Sequence, residues 1–274
     1  MRLCIIENFM LPLHCQKIKS NLLMKISWTD ETWNPVTGCT PISAACKYCY
    51  AKAMIPFLQK EHPDKYRNGF DVTAHPKSLN EPAHWDTPRL VFICSMSDLF
   101  HEDVPFEFID KIMFVIKSTP HTYQVLTKRP KRMAEYFAEK PVLPNLWLGV
   151  TVEDNSVKDR IDTLRNLNAP IRFLSCEPLL ENLVELDLRG IHWVIVGGEH
   201  GLGENPALAR PMKKEWVLSV KEQTEKQGAL FYFKQWGSWG SDGIPRSVED
   251  NGCELDGKIY QPRPEKERRP TLFG

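Results

Sequence analysis

Six short apolar runs, separated by segments with helical spacing, constrain the fold of this chain more than any other feature of its sequence. Between the runs, apolar residues recur at helical intervals, as Phe106, Ile109 and Ile116 do. Strands that alternate with helices are typical of repeated β-α units around a parallel sheet. The predicted strands cover residues 89–95, 122–127, 146–152, 171–175, 192–198 and 229–235.

Each predicted strand runs directly into a polar segment, such as "SDLFHED" after the first and "GGEHGLGEN" after the fifth. In α/β barrels and open α/β sheets, ligands bind at the carboxyl ends of the strands. Six polar segments in a row therefore predict one functional site at that end of the sheet. The candidate architectures are a closed or partial (β/α) barrel and an open doubly wound sheet.

The net charge and the length of the apolar runs limit the classes of binding partner that we expect. The chain of 274 residues has 35 Lys plus Arg and 35 Asp plus Glu, so no overall charge attracts it to nucleic acid or to a membrane surface. No apolar run approaches the roughly 20 residues of a membrane helix, and no secretory signal is present, so we expect a cytoplasmic protein without a membrane partner. The predicted organisation is an N-terminal extension at 1–23, one β-α domain at 24–237, and a loosely packed C-terminal extension at 238–274.

Three cysteines, Cys39, Cys46 and Cys49, lie close together in a loop-like segment, and no fourth cysteine accompanies them. Three thiolates can bind three irons of a 4Fe-4S cluster and leave the fourth iron open to a small molecule. A closed zinc site would need a fourth ligand, for which His62 and Cys94 are available. The third alternative is that the cysteines are small core residues.

The motifs "GCTPISAACKYCYA", "SMSDLFHEDVP", "VLTKRP", "LWLGVTVE", "RFLSCEPLL" and "WVIVGGEHG" follow one another in order. In these motifs the chain resembles the phage gene-product 37/68 family, which has a three-cysteine motif and a radical S-adenosylmethionine-like character. The resemblance implies a partial (β/α) barrel of the radical S-adenosylmethionine type, with parallel strands and outer helices. It also implies a 4Fe-4S cluster on Cys39, Cys46 and Cys49, S-adenosylmethionine as cofactor, and an external electron donor. The six-residue gap between Cys39 and Cys46 departs from the three-residue gap usual in radical enzymes.

The resemblance also suggests where the cofactor binds. The end of the second barrel strand is expected to contact its amino group, and the ends of the next strands its ribose hydroxyls. The motif "GGE" that often has the first role occurs here only after the fifth predicted strand, at Gly197 to Glu199. The candidate cofactor-binding residues are therefore Ser95, Ser97, Asp98, Thr151, Glu153, Ser175 and Glu177.

Lys128, Glu199 and Lys234 are the candidate catalytic residues, because their charged groups follow predicted strands at the same edge. Lys128, with Arg129, and Lys234, with Gln235, suit an anionic substrate such as a nucleotide or nucleic acid, on which Trp236 and Trp239 could stack. A partner protein from a neighbouring gene is a further expectation. Two other functions stay open: a zinc-stabilised nucleic-acid-binding phage protein without catalysis, and a barrel enzyme that has lost its radical chemistry.

Overall fold

A single seven-stranded parallel sheet forms the framework of the protein. The computed structural model describes residues 26–201 and 205–264, so the expected N-terminal extension at 1–23 lies outside the described residues. Every neighbouring pair of strands is parallel, and the strands lie across the sheet in the order β1 (Glu31–Trp33), β4 (Leu90–Ile93), β5 (Thr122–Thr127), β6 (Leu146–Thr151), β7 (Arg172–Cys176), β8 (Trp193–Gly197) and β9 (Leu230–Gln235). It curls into a half-barrel flanked by helices. The prediction of an α/β partial barrel with outer helices is confirmed.

The strands are β1 Glu31–Trp33, β2 Val36–Thr37, β3 Thr73–Ala74, β4 Leu90–Ile93, β5 Thr122–Thr127, β6 Leu146–Thr151, β7 Arg172–Cys176, β8 Trp193–Gly197, β9 Leu230–Gln235, β10 Glu254–Leu255 and β11 Lys258–Ile259. The α-helices are α1 Tyr50–Ala53, α2 Ile55–Glu61, α3 Phe106–Ser118, α4 Pro130–Phe137, α5 Arg160–Arg165, α6 Lys214–Lys226 and α7 Val248–Asn251. Short 3-10 helices cover Ala44–Cys46, Pro76–His84, Asn155–Val157 and Pro206–Leu208.

All six predicted strands are present, within a residue or two of the expected bounds. The seventh strand of the sheet, β1, has only three residues, which is too short to give an apolar run in the sequence. It pairs with β4 and precedes the three cysteines. Helix α3 buries Ile109 and Ile116 against the sheet, as its spacing predicts. Within residues 26–201 and 205–264, none of the helices has the length and apolar character needed to span a bilayer.

The two faces of the sheet are packed differently. Val194 belongs to the core that includes helix residues such as Ile112, whereas the next residue, Ile195, belongs to a separate core. Because successive side chains of a strand point to opposite faces, the second core fills the concave side of the half-barrel. It consists mainly of aromatic side chains: Trp28, Phe92, Trp147, Phe173, Trp193 and Tyr232.

Polar residues follow the aromatic residues on the concave face, one step nearer the carboxyl ends of the strands. Side chains two residues apart share a face, so Ser175 follows Phe173 and Lys234 follows Tyr232. By the same alternation, Lys128, Thr151 and Glu177 point to this face. These five side chains, from Lys128 to Lys234, are called the polar rim below. The aromatic core closes one end of the half-barrel and the polar rim lies at the other.

The described part of the tail after β9, residues 236–264, packs against the sheet, in contrast to the loose extension that the sequence predicts. The carbonyl of Tyr260 accepts a hydrogen bond of 2.7 Å from the backbone N–H of Phe233 in β9. The indole N–H of Trp193 donates to the carbonyl of Pro262 at 3.1 Å. Strand β9 is the last strand of the sheet, so the tail satisfies backbone groups that would otherwise be unpaired at its edge.

Candidate functional site

The segment that carries the three cysteines, residues 38–49, is called the cysteine loop below. It begins at Gly38, whose N–H donates to the carbonyl of Met96 at 3.0 Å. Gly38 has a φ of 83°, and a Cβ atom there would lie 2.2 Å from the carbonyl oxygen of Asp71, so only glycine fits. The hydroxyl of Ser97 donates to the carbonyl of Gly38 at 2.6 Å. The loop therefore starts at the carboxyl end of β4.

Two further side chains tie the end of β4 to its surroundings. The side-chain carbonyl of Asn34 accepts hydrogen bonds from the backbone N–H of Met96 at 3.0 Å and from the hydroxyl of Ser95 at 3.2 Å. The hydroxyl of Tyr50, directly after the last cysteine, donates to the carbonyl of Ser95 at 2.5 Å. Ser95 and Ser97, two of the candidate cofactor residues, thus make protein contacts that shape the cysteine loop.

Asp98, the third candidate after β4, is 5% exposed and uses both carboxylate oxygens within the protein. Oδ1 accepts from the Thr127 hydroxyl at 2.7 Å and from the backbone N–H of Phe100 at 3.0 Å. Oδ2 accepts from the backbone N–H of Lys128 at 3.0 Å and from Arg129 Nη1 at 3.3 Å. The carboxylate therefore fixes the turn that follows β5.

Arg129, which the sequence suggested as a substrate contact, is buried and points to the cysteine loop. Its Nη2 donates to the carbonyl and the hydroxyl of Thr40, both at 3.1 Å, and its Nη1 lies 3.6 Å from the Cys39 sulfur. Its Nε donates to Glu102 at 2.7 Å. With these partners the guanidinium has no N–H left for a substrate phosphate.

Glu153 joins the cysteine loop to the end of β6. It is 0% exposed, and its Oε2 lies 2.9 Å from Arg160 Nη1, which also donates to the carbonyl of Thr151 at 2.8 Å. Its Oε1 accepts from the backbone N–H of Ala45 at 3.4 Å. Glu153 was a candidate for a ribose hydroxyl, and in this structure its carboxylate is instead paired with Arg160.

The three thiols of the loop are free and partly exposed, in different electrostatic surroundings. Burial, and then the charge of Asp98, raise the pKa of Cys39 in spite of the nearby guanidinium of Arg129. Burial alone would also raise the pKa of Cys46, but a backbone hydrogen bond at Ile42 and the charge of Lys128 outweigh it and lower this pKa. Lys128 therefore lies close enough to Cys46 to favour its thiolate.

The polar rim contains an ion pair between neighbouring strands. Lys234 Nζ lies 2.8 Å from Glu177 Oε1, and the hydroxyl of Ser175 donates to Glu177 Oε2 at 3.0 Å. Thr151 is 1% exposed and its hydroxyl has no hydrogen-bond partner among the described residues. Tyr50 is 44% exposed overall, but burial of its hydroxyl, and then the charges of Cys49 and Glu177, raise its pKa. The charge of Glu177, a rim residue, therefore reaches the Tyr50 hydroxyl beside the cysteine loop.

Gly197 leaves room for the rim side chains around it. A Cβ atom at this position would lie 3.0 Å from Glu177 Oε1 and 3.6 Å from Gln235 Nε2. Gln235 Nε2 lies 3.0 Å from His200 Nε2 and donates to the carbonyl of Gly198 at 3.1 Å. The side-chain oxygen of Gln235 is buried and has no partner within the described part of the chain. Gln235 therefore keeps an unused acceptor at this edge.

Glu199, a candidate catalytic residue, forms an ion pair with Arg210. Its Oε2 accepts from the backbone N–H of Arg210 at 2.8 Å and from Arg210 Nε at 2.9 Å, while Oε1 bonds Arg210 Nη2. The guanidinium lies 5.5 Å from the ring centroid of Tyr48, the residue before Cys49. This ion pair covers the cysteine loop from the β8 side.

Two tryptophans that we considered for base stacking are engaged elsewhere. Trp236 is 2% exposed, lies 5.0 Å from Phe233 between ring centroids, and donates to the carbonyl of Glu254 at 2.9 Å. It is a core residue, and the stacking prediction for it is wrong. Trp239 is half-buried and donates to the carbonyl of Ala209 at 2.7 Å.

Sequence reasoning missed Asn34, Arg160 and Arg210, each of which orients a candidate residue. Arg160 and Arg210 gave no signal, because a single arginine on a helix or in a loop is ordinary. Asn34 lies in "WNP", four residues before the cysteine loop begins at Gly38. Of the possible zinc ligands, Cys94 is buried and His62 is exposed at the end of α2.

Comparison with known proteins identifies a family. The family described as "Protein of unknown function (DUF5131)" matches residues 23–264. No curated protein matches the chain. The chain is similar to a solved structure described as "Spore photoproduct lyase complexed with dinucleoside spore photoproduct", with a TM-score of 0.37 and 12% sequence identity. That match covers 70% of this chain and 59% of the other, so the chain spans about three fifths of that structure. The resemblance to the phage gene-product 37/68 family stays a prediction.

Proposed function

We propose that this chain, which belongs to the family described as "Protein of unknown function (DUF5131)", is a radical S-adenosylmethionine enzyme with a 4Fe-4S cluster bound to Cys39, Cys46 and Cys49. One observation carries the proposal. Three partly exposed thiols lie in one loop that is tied to the carboxyl ends of β4, β5 and β6, the end of the sheet that also carries the polar rim.

The chemistry of these ligands fits a cluster with one open iron. Three thiolates of one loop can each bind a different iron, and the loop offers no fourth thiol. The charge of Lys128 helps to lower the pKa of Cys46, and the guanidinium of Arg129 acts in the same direction on Cys39, although burial and Asp98 keep the pKa of Cys39 above its usual value. Thiols that bind metal must lose their protons, so these cations suit the proposed role.

A single zinc ion fits the same residues less well. A closed zinc site needs a fourth protein ligand beside the three thiolates. Of the two candidates, His62 is exposed at the end of α2 and Cys94 is buried in the hydrophobic core. Three thiolates without such a ligand suit a cluster with one open iron better.

The polar rim supplies groups suited to a ribose and to a charged substrate. When bound, the cluster and S-adenosylmethionine would supply a 5′-deoxyadenosyl radical. Thr151, Ser175 and Glu177 offer hydroxyl and carboxylate oxygens that can bond sugar hydroxyls, and the unused hydroxyl of Thr151 supports this role. Lys234 is oriented by Glu177 at the far side of the rim, where it would hold an anionic group of the substrate.

The other candidate residues would act by positioning. Ser95, Ser97 and Asp98 bond Asn34, Gly38 and the turn after β5, so their side chains hold the cysteine loop. Glu153 and Glu199 each pair with an arginine at the two sides of that loop. Of the three catalytic candidates, Lys128 and Lys234 have ammonium N–H groups without a partner among the described residues, whereas both carboxylate oxygens of Glu199 accept from Arg210.

The substrate class that these donors suit is a nucleotide or nucleic acid. The reaction also requires an external electron donor, and a partner protein from a neighbouring gene would fit that need. The proposals of this substrate class, of an electron donor and of a partner protein all depend on the presence of the cluster.

Metal identity is the test of the cluster. The full chain is purified without oxygen and supplied with iron and sulfide, and bound metal, sulfide and visible absorbance are measured. We expect about four irons and four sulfides per chain. Cys46→Ala should lose the cluster, whereas Cys253→Ala, which removes a thiol outside the loop, should keep it. One zinc per chain with no visible absorbance would refute the proposal and favour the zinc-stabilised binding protein.

Cofactor cleavage is the second test. The loaded protein is reduced with dithionite in the presence of S-adenosylmethionine, and 5′-deoxyadenosine is measured by chromatography. Formation of this product supports the enzyme. A reducible, fully loaded cluster that yields none would contradict the activity and favour a barrel that has lost radical chemistry.

A further inference from the structure

We propose that Arg129 positions the cysteine loop before any cofactor binds, so that the ligand set is preformed in the chain itself. The role of the preformed loop in cofactor binding rests on the proposed function. The ordering of the loop by Arg129 is a property of the metal-free protein. Arg129 is a positioning residue in this scheme, since it acts through Thr40 and Cys39.

The guanidinium of Arg129 joins two parts of the chain that are distant in sequence. Toward the segment after β4, its Nε donates to Glu102 at 2.7 Å and its Nη1 to Asp98 at 3.3 Å. Toward the cysteine loop, its Nη2 donates twice to Thr40 at 3.1 Å and its Nη1 lies 3.6 Å from the Cys39 sulfur. One side chain therefore spans from the sheet to the first thiol.

The backbone of Arg129 is itself held firmly, so the side chain has a fixed origin. Its N–H donates to the Thr127 hydroxyl at 2.8 Å, and that hydroxyl donates to Asp98 at 2.7 Å. Arg129 is 5% exposed, and Asp98 is equally buried. A buried, charge-paired guanidinium with a fixed backbone is among the more rigid contacts that a surface loop can have.

A second contact acts on the same loop residue. The hydroxyl of Thr40 lies 2.7 Å from Nε2 of His101, and His101 is 2% exposed. Although Thr40 lies at the surface, both its hydroxyl and its carbonyl are bonded to buried side chains. The first half of the cysteine loop is thus ordered by its attachment to the sheet, independent of metal.

Preorganisation has a consequence for binding. Ordering a free loop around a cofactor would cost conformational entropy at the moment of binding, and a preformed loop avoids that cost. The N–H of Arg129 directed at Cys39 also makes this thiol unlike the other two. Hydrogen bonds to the sulfurs help to set the reduction potential of iron-sulfur clusters, so the same contact predicts a shift of potential when Arg129 is replaced.

Amide hydrogen exchange of the metal-free full chain tests the positioning role. In Arg129→Gln, peptides covering residues 38–46 should exchange at least about tenfold faster, the factor that corresponds to the loss of one hydrogen bond from a charged donor. Arg129→Lys should also accelerate exchange, because an ammonium retains the charge but cannot span four partners. The matched control is Arg132→Gln. Arg132 bonds the carbonyls of His101 and Val104 without touching the cysteine loop.

The outcomes separate a local role from general destabilisation. Faster exchange of residues 38–46 in the Arg129 variants but not in Arg132→Gln supports the proposal. Unchanged exchange in Arg129→Gln, or equal acceleration in Arg132→Gln, overturns it. If Arg129→Gln does not fold because Asp98 is left unpaired, Thr40→Val removes the hydroxyl that accepts from Arg129, and it keeps the Thr40 carbonyl and the Arg129–Asp98 pair. Unchanged exchange in Thr40→Val then overturns the proposal.

The reduction potential of the loaded protein is a second readout. Arg129→Lys with full iron content should have a more negative potential than wild type, since the hydrogen bond to Cys39 is lost, whereas Arg132→Gln should match wild type. Equal potentials for Arg129→Lys and wild type contradict the hydrogen bond to Cys39. If the wild type takes up no iron, the proposed function fails, and the exchange data still decide the role of Arg129.

Discussion

Replacement of Arg160 by methionine isolates the electrostatic support beneath the cysteine loop. Arg160 is 7% exposed and lies 2.9 Å from Glu153, which is 0% exposed and also accepts from the backbone of the cysteine loop at Ala45. Methionine keeps much of the apolar volume of the arginine side chain and removes its charge. The substitution therefore leaves a fully buried carboxylate without its counter-charge, and it also leaves the carbonyl of Thr151 without its donor.

Removal of one partner of a buried ion pair costs about 3–5 kcal/mol in free energy of unfolding, because the other charge stays desolvated. A surface pair gives the comparison. Lys221 and Glu225 lie 2.7 Å apart with side chains 20% and 51% exposed, and Lys221→Met should cost no more than about 0.5 kcal/mol. The difference between these two losses is the contribution of burial.

Urea denaturation of the full chain, followed by tryptophan fluorescence and by far-ultraviolet circular dichroism, measures both losses. Coincident transitions by the two probes are needed for a two-state analysis. The double variant Glu153→Gln with Arg160→Met should recover most of the stability, because no charge is then buried alone. A loss below about 1 kcal/mol in Arg160→Met would refute the reasoning, as would a double variant no more stable than the single one.

Three further predictions concern the half-barrel and its edge. A Cβ atom at Gly149 would lie 2.5 Å from the Phe173 ring, so Gly149→Ala should lower the free energy of unfolding, measured with urea, by about 1–3 kcal/mol. Phe173→Leu in the same chain should recover part of this loss. Additive losses in the double variant would contradict the predicted clash. Burial, and then a nearby arginine charge, lower the pKa of His101 and of His192 in the folded protein. The unfolded chain therefore binds more protons at these residues below about pH 6.5, and the free energy of unfolding should fall from pH 7 to pH 5. His192→Asn should weaken this dependence of stability on pH. A free energy of unfolding that falls with pH as steeply as in wild type would contradict the prediction. Asn34→Ala should lower the free energy of unfolding by about 1–2 kcal/mol, because the N–H of Met96 loses its partner. Ser95→Ala should cause a smaller loss. Equal losses would contradict the importance of the contact with the Met96 backbone.

Much of the fold could be predicted from the sequence, because the signals for it are local. The apolar run at 122–127 matches β5 in full and the run at 229–235 matches β9 to within one residue, since a strand covered on both faces needs continuous apolar side chains. Gly228, with a φ of 77°, follows α6 as its position in the sequence suggests. Strand β1 was missed because three residues, of which only Trp33 is fully buried, give no such signal.

The site was predictable only in outline. The sequence correctly indicated that polar residues gather at one edge of the sheet, but it did not indicate which of them are free to bind a ligand. The positions of Lys128 and Lys234 at that edge followed from the predicted strands, and their roles stay a prediction. The roles of Arg129 and Trp236 could not, because burial depends on what packs over them from elsewhere in the chain.

The sequence by itself determined the alternation of strands and helices, the edge at which polar groups gather, and the three thiols in one loop. The tertiary structure decided which charges are already paired. Asp98 with Arg129, Glu153 with Arg160 and Glu199 with Arg210 are used within the protein, whereas Lys128 has no carboxylate partner among the described residues. The physical reason is that pairing requires two side chains to meet at a distance of about 3 Å, and that depends on how the strand ends and the loops above them are arranged in space.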